Sequence, residues 1–375
     1  MCLAREDEIL KLDILEVLQK YTDKNNGMSQ KEIITKLQSK YGYKNLYNRR
    51  WTVKDNLTKL INYHNEKYGY QKKITYKESS RTVPVKPQKG ERETKKKTTK
   101  VYIRSDFRYI HDFADEELRL MIDSLLFSKQ IPSDQREELI EKLAGLTSEN
   151  FDSRTKYITV QSSDVPVNRE LFENIKVLDK AIKTSKKVSF YYTTHVVEGF
   201  PYAKLKLQAR KNSEGKIREY IINPYQMVTT NGRYYLICNN DAYHNLAHFR
   251  LDRITNIEIL EDEERKPLKK IEGVDNRFDL QQYMREHIYM FAGKSENVSL
   301  RIKKNALGEF VDWFGTENIS FTRQTEEDYT VRVKVNVNAM RKWALQYGLF
   351  VEVLSPDYLV KGIKEDIAQV MENYE

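Results

Sequence analysis

Cysteine is almost missing from this 375-residue chain. Cys2 and Cys238 are too few and too far apart for a disulfide framework or a tetrahedral zinc cluster. Glycine (14) and proline (8) are sparse as well, which excludes collagen-like and low-complexity architectures. No window approaches the ~18 uninterrupted apolar residues of a membrane span. The first residues, Met1 to Arg5 followed by Glu6, Asp7 and Glu8, lack both the basic start and the apolar core of a signal peptide. The expectation is a cytoplasmic protein with no membrane partner. With 39% hydrophobic and 32% charged residues the chain is ordinary for a globular protein, and at roughly 100 to 200 residues per domain it holds two to four domains.

Its net charge of +9 is unevenly spread. Residues 1–100 carry 24 Lys and Arg against 12 Asp and Glu, while residues 101–375 carry 40 against 43. Such asymmetry points to a module for a polyanion joined to something near neutral, although a basic end can also be a solvated face or a linker.

Hydrophobic spacing divides the basic end into elements. Ile9, Leu12, Leu15 and Leu18 recur every three residues and predict a helix. Ser29 followed by Glu32 is a capping box ahead of Ile33, Ile34 and Leu37. A third helix starting near Asn48 places Val53, Leu57, Leu60 and Ile61 on one face. Two short β-prone runs, residues 68–70 and 73–76, complete a winged helix-turn-helix over residues 1–80. Residues 81–100, with Pro84, Pro87, Gly90 and Lys95 to Lys97, read as a basic linker.

Helical patterns at 115–128, 133–146 and 169–183 form a connector over residues 101–185. Five short strands (187–195, 220–228, 234–238, 247–251 and 256–260) suggest a small barrel within residues 186–264. After a charged break, residues 275–375 alternate in a βαββαβ order with a final helix, as in ferredoxin-like folds. The fold class is therefore multidomain α+β.

Catalytic constellations are poor. Gly293-Lys294-Ser295 resembles the end of a phosphate loop, but Ile288 stands where the motif needs glycine. His244 and His248 have metal-pair spacing without a nearby base, and no nucleophile elbow is present. The sequence indicates neither an enzyme nor a cofactor. The third helix offers more. Opposite its apolar stripe lie Asn48, Trp51, Asp55, Thr58 and Lys59, flanked by Arg50, Thr52 and Lys54. Arginine can pair with guanine, Thr or Trp can meet a thymine methyl, and lysines suit phosphates. Candidate DNA-binding residues are Ser29, Lys31, Asn48, Arg49, Arg50, Trp51, Thr52, Lys54, Lys59 and, in the wing, Lys73. The barrel carries 11 basic against 5 acidic residues between 186 and 256, interleaved with tyrosines such as Tyr191, Tyr192, Tyr220 and Tyr234. Stacking rings beside a basic groove is one way small barrels hold single-stranded nucleic acid, and some of these rings must be core.

Tyr234-Tyr235-Leu236, preceded by Asn231-Gly232-Arg233, resembles the name motif of the WYL-domain transcriptional regulators. Ile222-Asn223-Pro224-Tyr225, Phe249-Arg250-Leu251-Asp252-Arg253-Ile254 and the stretch from Trp343 to Pro356 resemble further family elements, so the similarity covers the chain from about residue 7 onward. The motif tryptophan is Tyr234 here, and the usual Thr followed by a basic-acidic pair is shifted by one residue at Thr52-Val53-Lys54-Asp55. The resemblance implies an Sm-like or SH3-like WYL barrel that senses a nucleic-acid ligand, single-stranded DNA or a nucleotide, in a homodimer that binds double-stranded DNA. It assigns Tyr192, Tyr234, His248, Arg250 and Arg253 to the ligand. The alternative is an accessory subunit of a nucleic-acid processing system that holds single strands.

Overall fold

A computed structural model describes residues 2–69, 71–84, 98–128, 130–152, 168–199, 204–272 and 279–375. The chain divides into two compact units, residues 1–127 with 133–162, and residues 128–132 with 163–375.

In the first unit, helices α1 (Cys2–Tyr21), α2 (Gln30–Tyr41) and α3 (Arg50–Tyr68) bury Ile14, Leu18, Ile33, Leu37, Leu57 and Ile61 against one another. Ser29 caps α2 as expected. Its hydroxyl accepts the Glu32 backbone N–H at 3.3 Å, and its own N–H donates to the Glu32 carboxylate at 2.7 Å. Gly42 then closes α2 in the left-handed region at φ +74°, where a side chain would be strained.

The β-element that follows differs from the expected short hairpin. Strand β1 (Ile74–Pro84) pairs antiparallel with β2 (Thr98–Tyr109), from Ile74 opposite Tyr109 to Pro84 opposite Thr98. Residue 68 ends α3 and residue 70 lies outside the described residues. The ends of the expected linker, 81–84 and 98–100, are strand, and residues 85–97 lie outside the described residues. A two-stranded ribbon solvated on both faces lacks the apolar alternation by which strands are read. Only at its base does the ribbon enter the core, through Ile74 and Phe107. Helices α4 (Asp115–Phe127) and α5 (Ser133–Ala144) complete the unit.

The second unit opens with α6 (Leu171–Thr184), followed by β3 (Lys186–Glu198), β4 (Lys204–Ala209), β5 (Glu219–Thr230), β6 (Arg233–Asn239), β7 (Ala247–Arg250), a 3-10 turn at Leu251–Arg253 and β8 (Ile254–Glu264). The sheet order is β4-β3-β5-β6-β7, and β8 pairs with β3. One half of the long β3 is shared between β5 and β8, while the other half pairs with β4. The result is a half-barrel of six strands rather than five. The extra strand, β4, is half-buried at most along its whole length, so no buried stripe marks it in sequence.

After α7 (Leu280–Glu286), another segment without an expected helix, come β9 (Ser295–Lys303), α8 (Leu307–Phe314), β10 (Ile319–Gln324), β11 (Asp328–Asn336), α9 (Val337–Gln346), β12 (Val351–Ser355) and α10 (Asp357–Glu372). This four-stranded antiparallel sheet has the order β10-β11-β9-β12. Val298, Leu300, Ile302, Val331 and Val333 alternate inward against Phe310, Phe314 and Trp343 of the helices.

Asn174 joins α6 to the half-barrel. Fully buried, it donates to the carbonyls of Leu251 at 3.1 Å and Ile254 at 2.8 Å, on either side of the 3-10 turn. Asn174→Leu removes one donor from each carbonyl, leaving the Ile254 N–H on Leu251 and the Asn168 amide on Ile254, and should destabilise the protein by about 0.5–1.5 kcal/mol. Urea unfolding measures this, and an unchanged midpoint would contradict the assigned role.

Candidate nucleic-acid interfaces

The first unit presents α3. Arg50, Trp51, Lys54, Asp55 and Lys59 are exposed along one side, Trp51 at 70%, while Val53, Leu57, Leu60 and Ile61 are buried on the other. Lys31 on α2 and Asn48 before α3 are exposed too, and Arg49 at the α3 N-cap is half-buried. The Gln30 side chain donates to the Arg50 carbonyl and ties the start of α2 to the start of α3. Asp55 is occupied by Lys59 at 2.6 Å, so it orients that lysine rather than Arg50 or Lys54.

Three expected DNA contacts are withdrawn. Thr52 is 4% exposed and turned into the core beside Val53, because it lies toward the apolar stripe rather than opposite it. Lys73 is buried to 8%, and its ammonium is paired with Asp112, so it fixes the ribbon base instead of gripping phosphate. Ser29 spends its hydroxyl and backbone N–H in the capping box. The cations the ribbon does expose include Arg81 and Lys100, and Lys77 is engaged by Asp106 at 2.8 Å.

In the second unit, the residues carried over by resemblance converge, but in altered roles. Tyr192 is 6% exposed, with Phe249 edge-on at 5.0 Å between centroids and Tyr220 at 6.1 Å. Its hydroxyl accepts the Arg250 backbone N–H at 3.2 Å, and burial raises its pKa. A ring so enclosed is packing, not an open platform for a base. Arg250 forms a bidentate pair with buried Asp252, Nε to Oδ1 at 3.0 Å and the second nitrogen to Oδ2 at 2.5 Å. Arg253 leaves a buried Nε without a partner among the described residues. The 3-10 turn accounts for the pairing: it coils the chain immediately after Arg250 and sets Asp252 against that guanidinium. Tyr234 is 39% exposed and remains available, and its backbone N–H is taken by the buried Gln130 side chain at 2.7 Å.

His248 belongs to a cluster that sequence reading missed. Its Nε2 meets the Tyr283 hydroxyl at 2.8 Å, and His287 stacks on Tyr283 with centroids 3.9 Å apart while its Nδ1 donates to the Tyr283 carbonyl at 2.8 Å. Tyr283 and His287 come from α7 and its C-cap, whose position against β7 no local pattern reveals. Arg210 and Arg218, both exposed, are among the 11 basic residues of the barrel but were not singled out as site residues. Their guanidinium carbons lie 5.0 Å from the Tyr192 centroid and 4.7 Å from the Tyr220 centroid. The signal was their placement on either side of the 212–216 turn, each four residues from Glu214.

The second unit thus joins a half-barrel, fed by an N-terminal helix, to a four-stranded α/β module. A WYL domain family model matches residues 203–259, and a WCX domain family model matches residues 294–371. The chain is thus similar to WYL-domain proteins over the half-barrel and to WCX-domain proteins over the C-terminal module. Among solved structures, proteasome accessory factor B/C (PafBC) of Arthrobacter aurescens is similar at 14% identity with a TM-score of 0.24, over 74% of this chain and 40% of that one. This chain thus spans less than half of that protein. A structure described as a CRISPR Cas-related protein is similar at 12% identity with a TM-score of 0.33, over 92% of this chain and 78% of its own. Likeness at that level adds nothing to the fold described above. No curated protein matches the chain.

Burial pushes the His248 imidazole down to about 3, and burial likewise lowers His287. Both are neutral in the folded protein, whereas in the unfolded chain they take up protons near 6.5. The His248 contribution to stability is complete above pH 6.5 and is lost as the pH falls toward 3, by about 1.4 kcal/mol per pH unit while only the unfolded chain binds that proton, and His287 acts in the same direction. His248→Gln should flatten this decline in a series of urea titrations from pH 7 to pH 4. An identical pH profile in the variant would show that His248 is not buried neutral.

Proposed function

We propose that this chain is a regulator that binds operator DNA through its N-terminal elements and senses a nucleic-acid ligand, single-stranded DNA or a nucleotide, through the WYL half-barrel. It acts by binding rather than by catalysis, in the cytoplasm, as a homodimer. The observation that carries the reading is the α3 face, where Arg50, Trp51 and Lys54 stand exposed on a helix anchored by a buried stripe, inside the segment that holds the positive charge. Three helices followed by an antiparallel ribbon support a winged helix-turn-helix, with α3 entering the major groove and the ribbon tracking phosphate. The strand order β10-β11-β9-β12 supports a ferredoxin-like reading of the C-terminal module. Six strands with a 3-10 turn before the last support an Sm-like or SH3-like reading of the half-barrel.

A single winged helix spans too few base pairs to select one site in a genome, so a dimer on inverted half-sites is expected. Light scattering should give twice 44.5 kDa, and a stable monomer protecting one half-site would contradict this.

Arg50→Ala should lose about 1–3 kcal/mol on a selected duplex and relax preference at one base pair. Arg81→Ala should weaken selected and random duplexes alike, with a shallower salt dependence. Anisotropy titrations across a salt series separate the two outcomes. If the parent binds no duplex, or its affinity ignores salt, the assignment fails.

A further inference from the structure

Arg210 and Arg218 occupy a position that an isolated protein does not favour. The stretch between β4 and β5 folds back on itself, with an antiparallel bridge between Lys211 and Ile217. One residue further along, the Arg218 backbone N–H donates to the Arg210 carbonyl at 2.8 Å, so the two arginines stand directly opposite each other. Residues opposite in an antiparallel pair project to the same face, and like charges placed so repel. Two exposed lysines nearby are answered, Lys206 by Glu198 at 2.5 Å and Lys216 by Glu214 at 3.3 Å. Neither Arg210 nor Arg218 has a carboxylate partner among the described residues.

Instead, each guanidinium is held by an aromatic ring. Arg210 lies over Tyr192 and Arg218 over Tyr220, and those rings sit 6.1 Å apart in the barrel core. The rings cannot move, because Tyr192 is bonded to the Arg250 backbone and both pack on Phe249. A cation on a ring face keeps its N–H edges free, since the ring satisfies the charge without taking its hydrogen bonds. Two forks are therefore presented side by side, fixed in place, with their donors unspent and their mutual repulsion unrelieved.

We propose that Arg210 and Arg218 form a phosphate clamp on the half-barrel, which takes the phosphodiester backbone of a single-stranded nucleic acid. An anion between them would convert the repulsion into charge-assisted, bidentate hydrogen bonds. This rests on the nucleic-acid reading of the barrel and adds to it a site distinct from Arg250, whose fork Asp252 already fills. It also reassigns the tyrosines: Tyr192 and Tyr220 act as positioning residues behind the arginines and touch no base.

The test uses the full chain, the Arg210→Gln/Arg218→Gln variant, and a Lys211→Gln/Lys216→Gln control of equal charge change. Lys211 and Arg210 project to opposite faces of the ladder. Two probes are used: a fluorescein-labelled single-stranded DNA of mixed sequence, read by anisotropy across a salt series, and inorganic tripolyphosphate, read as a rise in melting temperature. The arginine variant should bind the oligonucleotide at least about tenfold more weakly, with a salt slope shallower by about 1.4, the amount for two lost phosphate contacts on a single strand. It should also lose the stabilisation by tripolyphosphate, while the lysine control keeps both responses. If tripolyphosphate stabilises the parent but not the arginine variant, and neither binds oligonucleotide, the clamp stands and the nucleic-acid reading of the barrel falls. If the arginine variant matches the parent with both probes, if the lysine control loses as much, or if the parent responds to neither probe, the clamp is overturned.

Discussion

A guanidinium can leave water only if its charge is answered, and in the second unit that condition falls on Arg250. Asp252 answers it from two residues away, at the point where the chain coils immediately after β7. That coil is the 3-10 turn at Leu251–Arg253, and the surrounding structure is arranged to hold it. Asn174 of α6 supplies donors to the carbonyls on both sides of the turn, and the Thr193 hydroxyl donates to the Arg253 carbonyl at 3.1 Å. Tyr192 accepts the Arg250 N–H from the opposite side. Removing Asp252 would leave a buried charge uncompensated, so the ion pair and the turn stand or fall together.

That constraint decides which cations of the half-barrel face outward. Arg250 belongs to the architecture. Arg210 and Arg218 stand outside it, on rings that the architecture has immobilised. In the first unit a similar division runs along α3: Thr52, Val53 and Asn56 are buried, whereas Arg50, Trp51 and Lys54 are not. Under the proposed DNA-binding reading, α3 uses both faces. The buried one fixes the helix axis, and the exposed one then presents side chains at defined heights along a groove.

Elements with one apolar face were readable in the sequence: the three N-terminal helices, the capping box at Ser29, α4 to α6, and the βαββαβ order of the C-terminal module. Those without one were not. The outer ribbon of β1 and β2 is solvated on both faces, β4 has no buried stripe, and α7 is seven residues long. Site residues divide by a different rule. Side chains whose role follows from local spacing, such as Trp51 and Lys54, were placed correctly on the exposed face. Those whose role depends on a distant partner were not, since nothing near Lys73 announces Asp112, and nothing near His248 announces Tyr283 and His287. Thr52 is the instructive case between the two, because a rotation of one residue along the helix separates the groove from the core.

The regulator reading joins two binding events in one chain, so each must alter the other's affinity by the same factor. Selection of genomic fragments by the full chain, with and without short single-stranded DNA, measures this directly. Recovery of a shared inverted repeat whose yield changes when the single strand is added is the predicted result. Fragments with no common sequence, or the same fragments in the same yield under both conditions, would contradict it.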